Sequence, residues 1–270
     1  MRKRRAKTGL CAVLLAALLL SGCGQQATAA ETPAPTAAPS VTPTERPAPE
    51  PSAAPAPETA QPEEEPGAED KLLDESWFDD AMFLGDSLTG SLNIYNLRFG
   101  GLGDALVFHV NGLSCHHIVE EDMLLNFKGR DCRVEDAVAL SGCGKLFLML
   151  AMNDVGTHPI EQLHDDWAIM LGRIRERCPD VRVYVQSGTP LHLDINYFTR
   201  ENMAAYNRML REVCGETGCV YVDITPGLAD EDGFLKDEYR LDDLHLNPEG
   251  CAVWVENLRH TASYCEEESA

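Results

Sequence analysis

Short apolar runs alternate with amphipathic segments along the C-terminal part of the chain. Between the runs, apolar residues recur at helical spacing, which predicts helices at 88–97, 160–177, 201–217 and about 248–264. The runs themselves are short and continuous enough to be buried strands, at 81–84, 105–110, 145–151, 181–185 and 219–222. This alternation predicts an α/β fold with a parallel five-stranded sheet covered by helices on both faces. In such folds, functional groups gather at the carboxyl ends of the strands.

Residues 1–22 have the pattern of a secretory signal peptide. A cluster of basic residues precedes an apolar run at 10–20, which is too short to span a membrane as a helix. The run ends in Leu20-Ser21-Gly22-Cys23, which resembles a bacterial lipobox. The resemblance implies lipidation of Cys23 and anchoring to the extracytoplasmic face of a bacterial cell membrane. The alternative is an ordinary cleavable signal, with cleavage near Ala29-Ala30.

The composition of residues 23–70 differs from that of the rest of the chain. Eleven of the sixteen prolines lie between 24 and 70, spaced by Ala, Thr, Ser and Glu without apolar periodicity. Such a segment buries too little apolar surface to offset its ordering entropy, and its prolines favour extended polyproline conformation. We therefore expect a disordered linker after Cys23, which leaves 71–270 as one domain of ordinary size.

Charge and cysteine content exclude several classes of function. The net charge of −22 at pH 7 argues against nucleic acid as a partner, because nucleic-acid binding needs a basic surface. The ten cysteines include no Cys-x-x-Cys pair, which argues against a zinc ribbon or a thioredoxin-type centre. We expect no metal and no cofactor, contact with a membrane only through the N-terminal lipid, and a monomer.

Three motifs in a fixed order carry the candidate chemistry, each directly after a predicted strand or at a junction between a loop and a helix. They are Gly85-Asp86-Ser87-Leu88, Asn153-Asp154 and Asp242-Asp243-Leu244-His245. A serine hydroxyl is a poor nucleophile unless a base takes its proton, and a histidine oriented by a carboxylate can do this. Ser87, His245 and Asp242 are therefore the candidate catalytic residues. Asn153 is a candidate donor to the oxyanion that forms during acyl transfer.

Each motif also has a structural interpretation. Ser87 could cap a helix, and Asn153 could be a turn residue. His245 could be a structural histidine or, together with Asp242, a metal ligand, although no second histidine stands nearby at ligand spacing. The presence of all three motifs, each on a matching element, favours a serine esterase.

The motifs and their order resemble the SGNH (GDSL) hydrolase family over about residues 82–265. The resemblance implies a flavodoxin-like three-layer α/β/α sandwich, the SGNH hydrolase fold, with Ser87 as nucleophile and Asp242 and His245 completing the triad. It also implies an oxyanion hole formed by the N–H groups of Ser87 and Gly112 and by the side-chain amide of Asn153.

Two positions leave this resemblance less specific. Gly112 follows the second strand, but Gly129, Gly142 and Gly144 also follow possible turns and stay open as alternatives. Ala151 stands where the family usually has glycine, and its methyl group could narrow the approach to the oxyanion hole.

The sequence thus predicts an extracytoplasmic serine esterase that works through an acyl-enzyme. The expected substrate is a small-molecule or glycan ester, in particular a short, acetyl-like ester on a carbohydrate or cell-wall glycan. A lysophospholipase, a thioesterase or an acyltransferase would use the same residues. A non-catalytic glycan-binding surface lipoprotein is the alternative from a different functional class.

Overall fold

The computed structural model describes residues 71–267, with side chains described up to residue 260. The predicted signal peptide at 1–22, Cys23 and the predicted linker at 23–70 lie outside the described residues. Seven strands are present in the described part: Ala81–Gly85 (β1), Leu106–His109 (β2), Leu125–Phe127 (β3), Arg130–Cys132 (β4), Lys145–Met149 (β5), Arg182–Gln186 (β6) and Val220–Val222 (β7). The α-helices of this part are Ser87–Phe99 (α1), Cys115–Val119 (α2), Val134–Ser141 (α3), Ile160–Arg177 (α4), Arg200–Thr217 (α5) and Pro248–Glu267 (α6).

Five of the strands form one parallel sheet in the order β2-β1-β5-β6-β7, and β3 pairs with β4 in a separate antiparallel hairpin. The chain moves from β1 to β2 in one direction and from β2 through β5 and β6 to β7 in the other. Because crossovers between parallel strands are right-handed, this reversal places helices on both faces. α1 packs with α6, and α4 packs with α2, α3 and α5. The predicted α/β sandwich with a parallel five-stranded sheet is confirmed.

A row of stacked aromatic rings crosses the three central strands of the sheet. Phe83, Phe147 and Tyr184 occupy paired positions on β1, β5 and β6. Their rings stack with centroid distances of 4.6 Å and 4.5 Å, and all three residues are fully buried. Aromatic pairs add about 0.5–1.5 kcal/mol beyond the burial of their area, so this row fixes the register of the strands that end at the candidate site.

Each predicted strand of the sheet is present within two residues of its predicted bounds. The sequence patterns did not reveal α2, α3 or the β3–β4 hairpin, which together occupy most of the chain between β2 and β5. No helix within residues 71–267 is both long and apolar enough to cross a membrane. The seven cysteines whose side chains the structure describes are free thiols, and five of them are buried.

Candidate active site

Ser87 lies where β1 passes into α1, at the carboxyl end of the sheet. Asp86 is the N-cap of α1, and its carboxylate accepts a hydrogen bond from the N–H of Leu88 at 2.9 Å. Ser87 is thereby the first residue of the helix, where backbone N–H groups have no partner within the helix and attract negative charge. β1 lies at the point where the crossovers diverge to opposite faces of the sheet, which is where open α/β sheets form their ligand crevice.

His245 reaches Ser87 from the segment that precedes α6. This segment folds back on itself through a bridge between Arg240 and Leu246, and the N–H of Leu241 donates to the carbonyl of His245 at 2.9 Å. Nε2 of His245 lies 2.9 Å from Oγ of Ser87, and Nδ1 lies 2.9 Å from Oδ2 of Asp242. A carboxylate at Nδ1 favours the tautomer in which Nδ1 carries the proton and Nε2 accepts from the serine hydroxyl.

The carboxylate of Asp242 is oriented by its own backbone neighbours. Partial burial raises the pKa of Asp242, but hydrogen bonds from the N–H groups of Leu244 and His245 and from the His245 ring outweigh it and leave the pKa below its ordinary value. Asp242 is therefore ionised at neutral pH. The adjacent Asp243 faces away and binds Nη2 of Arg240 at 2.7 Å.

Asn153 lies in the turn that follows β5, the strand that pairs with β1. Its Nδ2 donates to Oδ2 of Asp86 at 3.1 Å and to the carbonyl of Leu113 at 3.0 Å. An amide has two N–H donors, so both are engaged. To stabilise an oxyanion, Asn153 must share or exchange one of these bonds when the ester is bound.

Gly112 occupies the turn between β2 and α2 with a positive φ of 76°, a conformation that favours glycine. The turn is tied to the site on both sides, because Val110 donates to the carbonyl of Gly85 and Leu113 accepts from Asn153. The three alternative glycines lie elsewhere. Gly129 turns the β3–β4 hairpin, Gly142 ends α3, and Gly144 bonds to Asp80 at the amino end of the sheet.

The structure thus brings Ser87, His245 and Asp242 into one hydrogen-bonded chain with Asn153 beside it. Residues 83–253, more than half of the chain, match the model of the GDSL-like lipase/acylhydrolase family. The chain belongs to this family. It is accordingly a hydrolase that acts on ester bonds. Among the described residues, no three His, Cys, Asp or Glu side chains are arranged to hold a metal ion.

Solved structures with the same fold support this assignment of fold at low sequence identity. A GDSL-like lipase from Bacteroides thetaiotaomicron aligns with a TM-score of 0.51 and 14% identity, over 70% of this chain and 88% of its own. An acetyl xylan esterase aligns with a TM-score of 0.50 and 14% identity, over 66% of this chain and 96% of its own. A carbohydrate esterase family 3 protein from Talaromyces cellulolyticus aligns with a TM-score of 0.50 and 17% identity, over 70% of this chain and 98% of its own. No curated protein matches the chain.

Two buried aspartates, Asp86 and Asp154, support the site of this acylhydrolase, and the motifs that contain them predicted no role for either. Asp154 is fully buried and accepts from the N–H groups of Cys115 and His116 at 2.8 Å and 3.3 Å, which holds the start of α2. Burial raises the pKa of Asp154. The N-cap role of Asp86 could have been recognised from the sequence, because aspartate is a common residue immediately before a helix. The partners of Asp154 are distant in sequence, so no local pattern predicts them.

Asp86 is fully buried as well, and burial raises its pKa to about 6 although the Leu88 N–H opposes this; the charge of Asp154 adds to the rise. At pH values between its unfolded pKa and about 6, Asp86 is protonated in the folded protein but ionised in the unfolded chain. The free energy of unfolding therefore falls as pH rises through that window. In Asp86→Asn we expect this decline, about 3 kcal/mol, to disappear. We also expect activity to fall. Leu88 and Asn153 donate to different oxygens of the Asp86 carboxylate, and an asparagine side chain has only one oxygen.

Urea unfolding of the wild type and Asp86→Asn at about pH 4 and about pH 7 measures this effect. Asp74→Asn is the matched control, since Asp74 also caps a helix by accepting from the N–H two residues on. Hydrogen bonds from Ser76 lower the pKa of Asp74, so its removal changes the pH slope in the opposite sense. An unchanged slope in Asp86→Asn would contradict the assignment.

The methyl group of Ala151, which replaces the family's usual glycine, is buried and faces Gly188 beyond the end of β6. A Cβ on Gly188 would lie 2.9 Å from that methyl carbon and would also meet the sulfur of Met203. The Met203 side chain is flexible, whereas Ala151 Cβ is fixed to the backbone. We expect Gly188→Ala to destabilise the protein by about 1–3 kcal/mol.

A double-mutant cycle with Ala151→Gly tests this expectation by urea unfolding. If Ala151 is the obstacle, Gly188→Ala costs markedly less in the Ala151→Gly background. Equal costs in both backgrounds would show that Met203, or the backbone of residue 188 itself, sets the penalty.

Proposed function

We propose that this acylhydrolase is a serine esterase in which Ser87 is the nucleophile, His245 the general base and Asp242 the residue that orients it. The observation that carries the proposal is the 2.9 Å contact between Ser87 Oγ and His245 Nε2, with Asp242 at the opposite ring nitrogen. That distance lies within the range needed for proton transfer.

In the proposed mechanism, Ser87 Oγ attacks the ester carbonyl carbon while its proton passes to His245 Nε2. The tetrahedral intermediate collapses as His245 returns that proton to the leaving alkoxide, which departs as an alcohol and leaves an acyl-enzyme on Ser87. Water then attacks the acyl carbon while its proton passes to His245. The second tetrahedral intermediate collapses as His245 returns that proton to Ser87 Oγ, which breaks the bond between the acyl carbon and Ser87 and releases the carboxylic acid. Asp242 stays ionised and stabilises the imidazolium that forms in each half-reaction.

The negative charge on the carbonyl oxygen is proposed to be held by the N–H groups of Ser87 and Gly112 and by Asn153. The N–H of Ser87 belongs to the first turn of α1, so the helix dipole adds to the stabilisation. Losing one such donor costs about 10²–10³ in rate. The two hydrogen bonds of Asn153 to Asp86 and Leu113 hold its amide next to Ser87 before substrate arrives.

For the substrate, we propose a short acyl ester on a carbohydrate. Two of the structural neighbours are named for such chemistry, an acetyl xylan esterase and a carbohydrate esterase. The net charge of −22 disfavours strongly anionic substrates and suits neutral ones such as acetylated glycans. We further propose lipidation at Cys23 and an extracytoplasmic location, on the basis of the lipobox-like sequence.

The test compares the full chain with Ser87→Ala on p-nitrophenyl acetate, butyrate and octanoate, and measures acetate released from an acetylated xylan. We expect rates that fall with acyl length in the wild type and drop to near background in the variant, together with acetate release from the polymer by the wild type. Adding a sugar acceptor distinguishes transfer from hydrolysis, because a transferase would yield an acylated acceptor. Equal, background rates for both proteins on every ester would favour a non-catalytic glycan-binding protein.

A further inference from the structure

An apolar groove of about 190 Å³ runs along α1 next to the candidate active site. One wall is a face of α1, and the other is the segment 241–251 that carries His245 and begins α6. The side chains that give the groove its apolar character are Ile94, Tyr95, Phe99, Leu241 and Leu246. The proposed mechanism assigns no role to this groove.

The groove lies between the same two elements that the Ser87–His245 hydrogen bond joins, α1 and the segment 241–251. Ser91, which lines the groove, lies one helical turn beyond Ser87 on the same face and donates its hydroxyl to the Ser87 carbonyl at 3.4 Å. Leu241 is hydrogen-bonded to His245 through the backbone, and Leu246 is the next residue after it. At 1.5 Å per residue, Ile94 lies about 10 Å and Phe99 about 18 Å along the axis of α1 from Ser87.

The side of the catalytic serine on which the groove lies indicates which part of an ester would enter it. His245 must return its proton to the leaving oxygen, so the alcohol part of the ester lies on the His245 side. Asn153, bonded to Asp86 and Leu113, lies on the side of the β2–α2 turn. One wall of the groove is the segment that carries His245, which puts the groove on the alcohol side.

The walls of the groove present apolar surface to water. Ile94 is 70% exposed, Leu241 64% and Phe99 54%. Contiguous exposed apolar surface of this kind marks binding sites in soluble domains, and covering it is favourable in proportion to the area removed from water. An apolar extension of the alcohol would cover this surface while its ester carbonyl lies at Ser87.

We propose that the α1 groove binds an apolar portion of the leaving alcohol, so that the preferred substrate is a short acyl ester whose alcohol carries an apolar chain or ring. This inference rests on the proposed function and adds to it the chemistry of the leaving group. A short acyl ester on a sugar that also carries an apolar aglycone meets both requirements, the carbohydrate ester of the proposed function and the apolar leaving alcohol.

The test uses the full chain as the enzyme and a series of acetate esters of ethanol, butanol, hexanol and octanol as substrates. Hydrolysis is measured as released acetate. We expect kcat/KM to rise with alcohol length, by up to about fourfold per methylene, mainly through KM because the contact exists equally in ground and transition states. Ile94→Ser and Leu241→Ser should flatten the series. Leu97→Ser is the matched control, since Leu97 is on the same helix and 80% exposed but does not line the groove.

Several results would overturn the inference. They are a flat alcohol series in a wild type that hydrolyses ethyl acetate, or equal slopes in Ile94→Ser and Leu97→Ser. A rise with acyl length in ethyl butyrate, hexanoate and octanoate instead would assign the groove to the acyl chain. Sedimentation that shows a dimer dissociated by Ile94→Ser would make the groove a contact between two copies. Absence of hydrolysis of every ester would overturn the proposed function, and this inference with it.

Discussion

Replacing Ser87 by alanine is expected to lower kcat for ester hydrolysis by about 10⁴-fold or more. In the proposed mechanism, Ser87 Oγ forms the covalent bond to the acyl carbon, and its 2.9 Å contact to His245 Nε2 supplies the path for its proton. Alanine removes both the attacking atom and the proton donor. The activity that remains would come from water deprotonated by His245, assisted by the oxyanion donors that the substitution leaves in place.

Initial rates with p-nitrophenyl acetate at several concentrations separate kcat from KM for this variant. We expect KM to change little, because the hydroxyl contributes to the transition state rather than to binding of the ester. Ser141→Ala is the control for loss of a hydroxyl, since the Ser141 hydroxyl donates to the carbonyl of Val138 and accepts from the N–H of Cys143 at the end of α3. A Ser87→Ala protein with more than about a tenth of wild-type kcat would contradict the assignment.

The strands of the sheet could be predicted because a strand that is buried on both faces has an unbroken run of apolar residues in its sequence. Residues 81–84 and 146–149 are of this kind, and both runs are entirely buried. The motifs at Ser87 and Asn153 could then be placed at one edge, since parallel strands end together. The proximity of His245 was predicted from motif order, and its hydrogen bond to Ser87 spans 158 positions of sequence.

The chain between β2 and β5 could not be predicted from its pattern, for physical reasons. α2 and the strands of the β3–β4 hairpin are too short to show periodicity. The hairpin turns at Lys128 and Gly129, both with positive φ, and lysine is an uncommon residue for that conformation. The role of Asp154 likewise depends on backbone N–H groups 38 and 39 residues away. Such contacts arise from packing and leave no local signal.

Replacing Asp242 by asparagine is expected to lower kcat by about 10³–10⁴-fold, because the amide permits the wrong tautomer of His245. The carboxylate now accepts from Nδ1–H at 2.9 Å, which leaves Nε2 unprotonated toward Ser87. An amide N–H at that position would favour a proton on Nε2, which then cannot accept from the serine. The fall should be in kcat rather than KM and should be measured beside Ser87→Ala on the same esters.

Asp243→Asn is the matched control, because it makes the same chemical change one residue away. Asp243 is exposed and bonds to Arg240, and exposed ion pairs contribute little, so its removal should leave activity within about threefold of wild type. Equal losses in the two variants would mean that the acidic turn acts through its conformation.

Asp242→Ala separates these causes further. Asparagine can still accept from the N–H groups of Leu244 and His245 that shape the turn, whereas alanine loses both bonds. A larger loss in Asp242→Ala than in Asp242→Asn would therefore measure how much of the role of Asp242 is to hold His245 in place, apart from setting its tautomer.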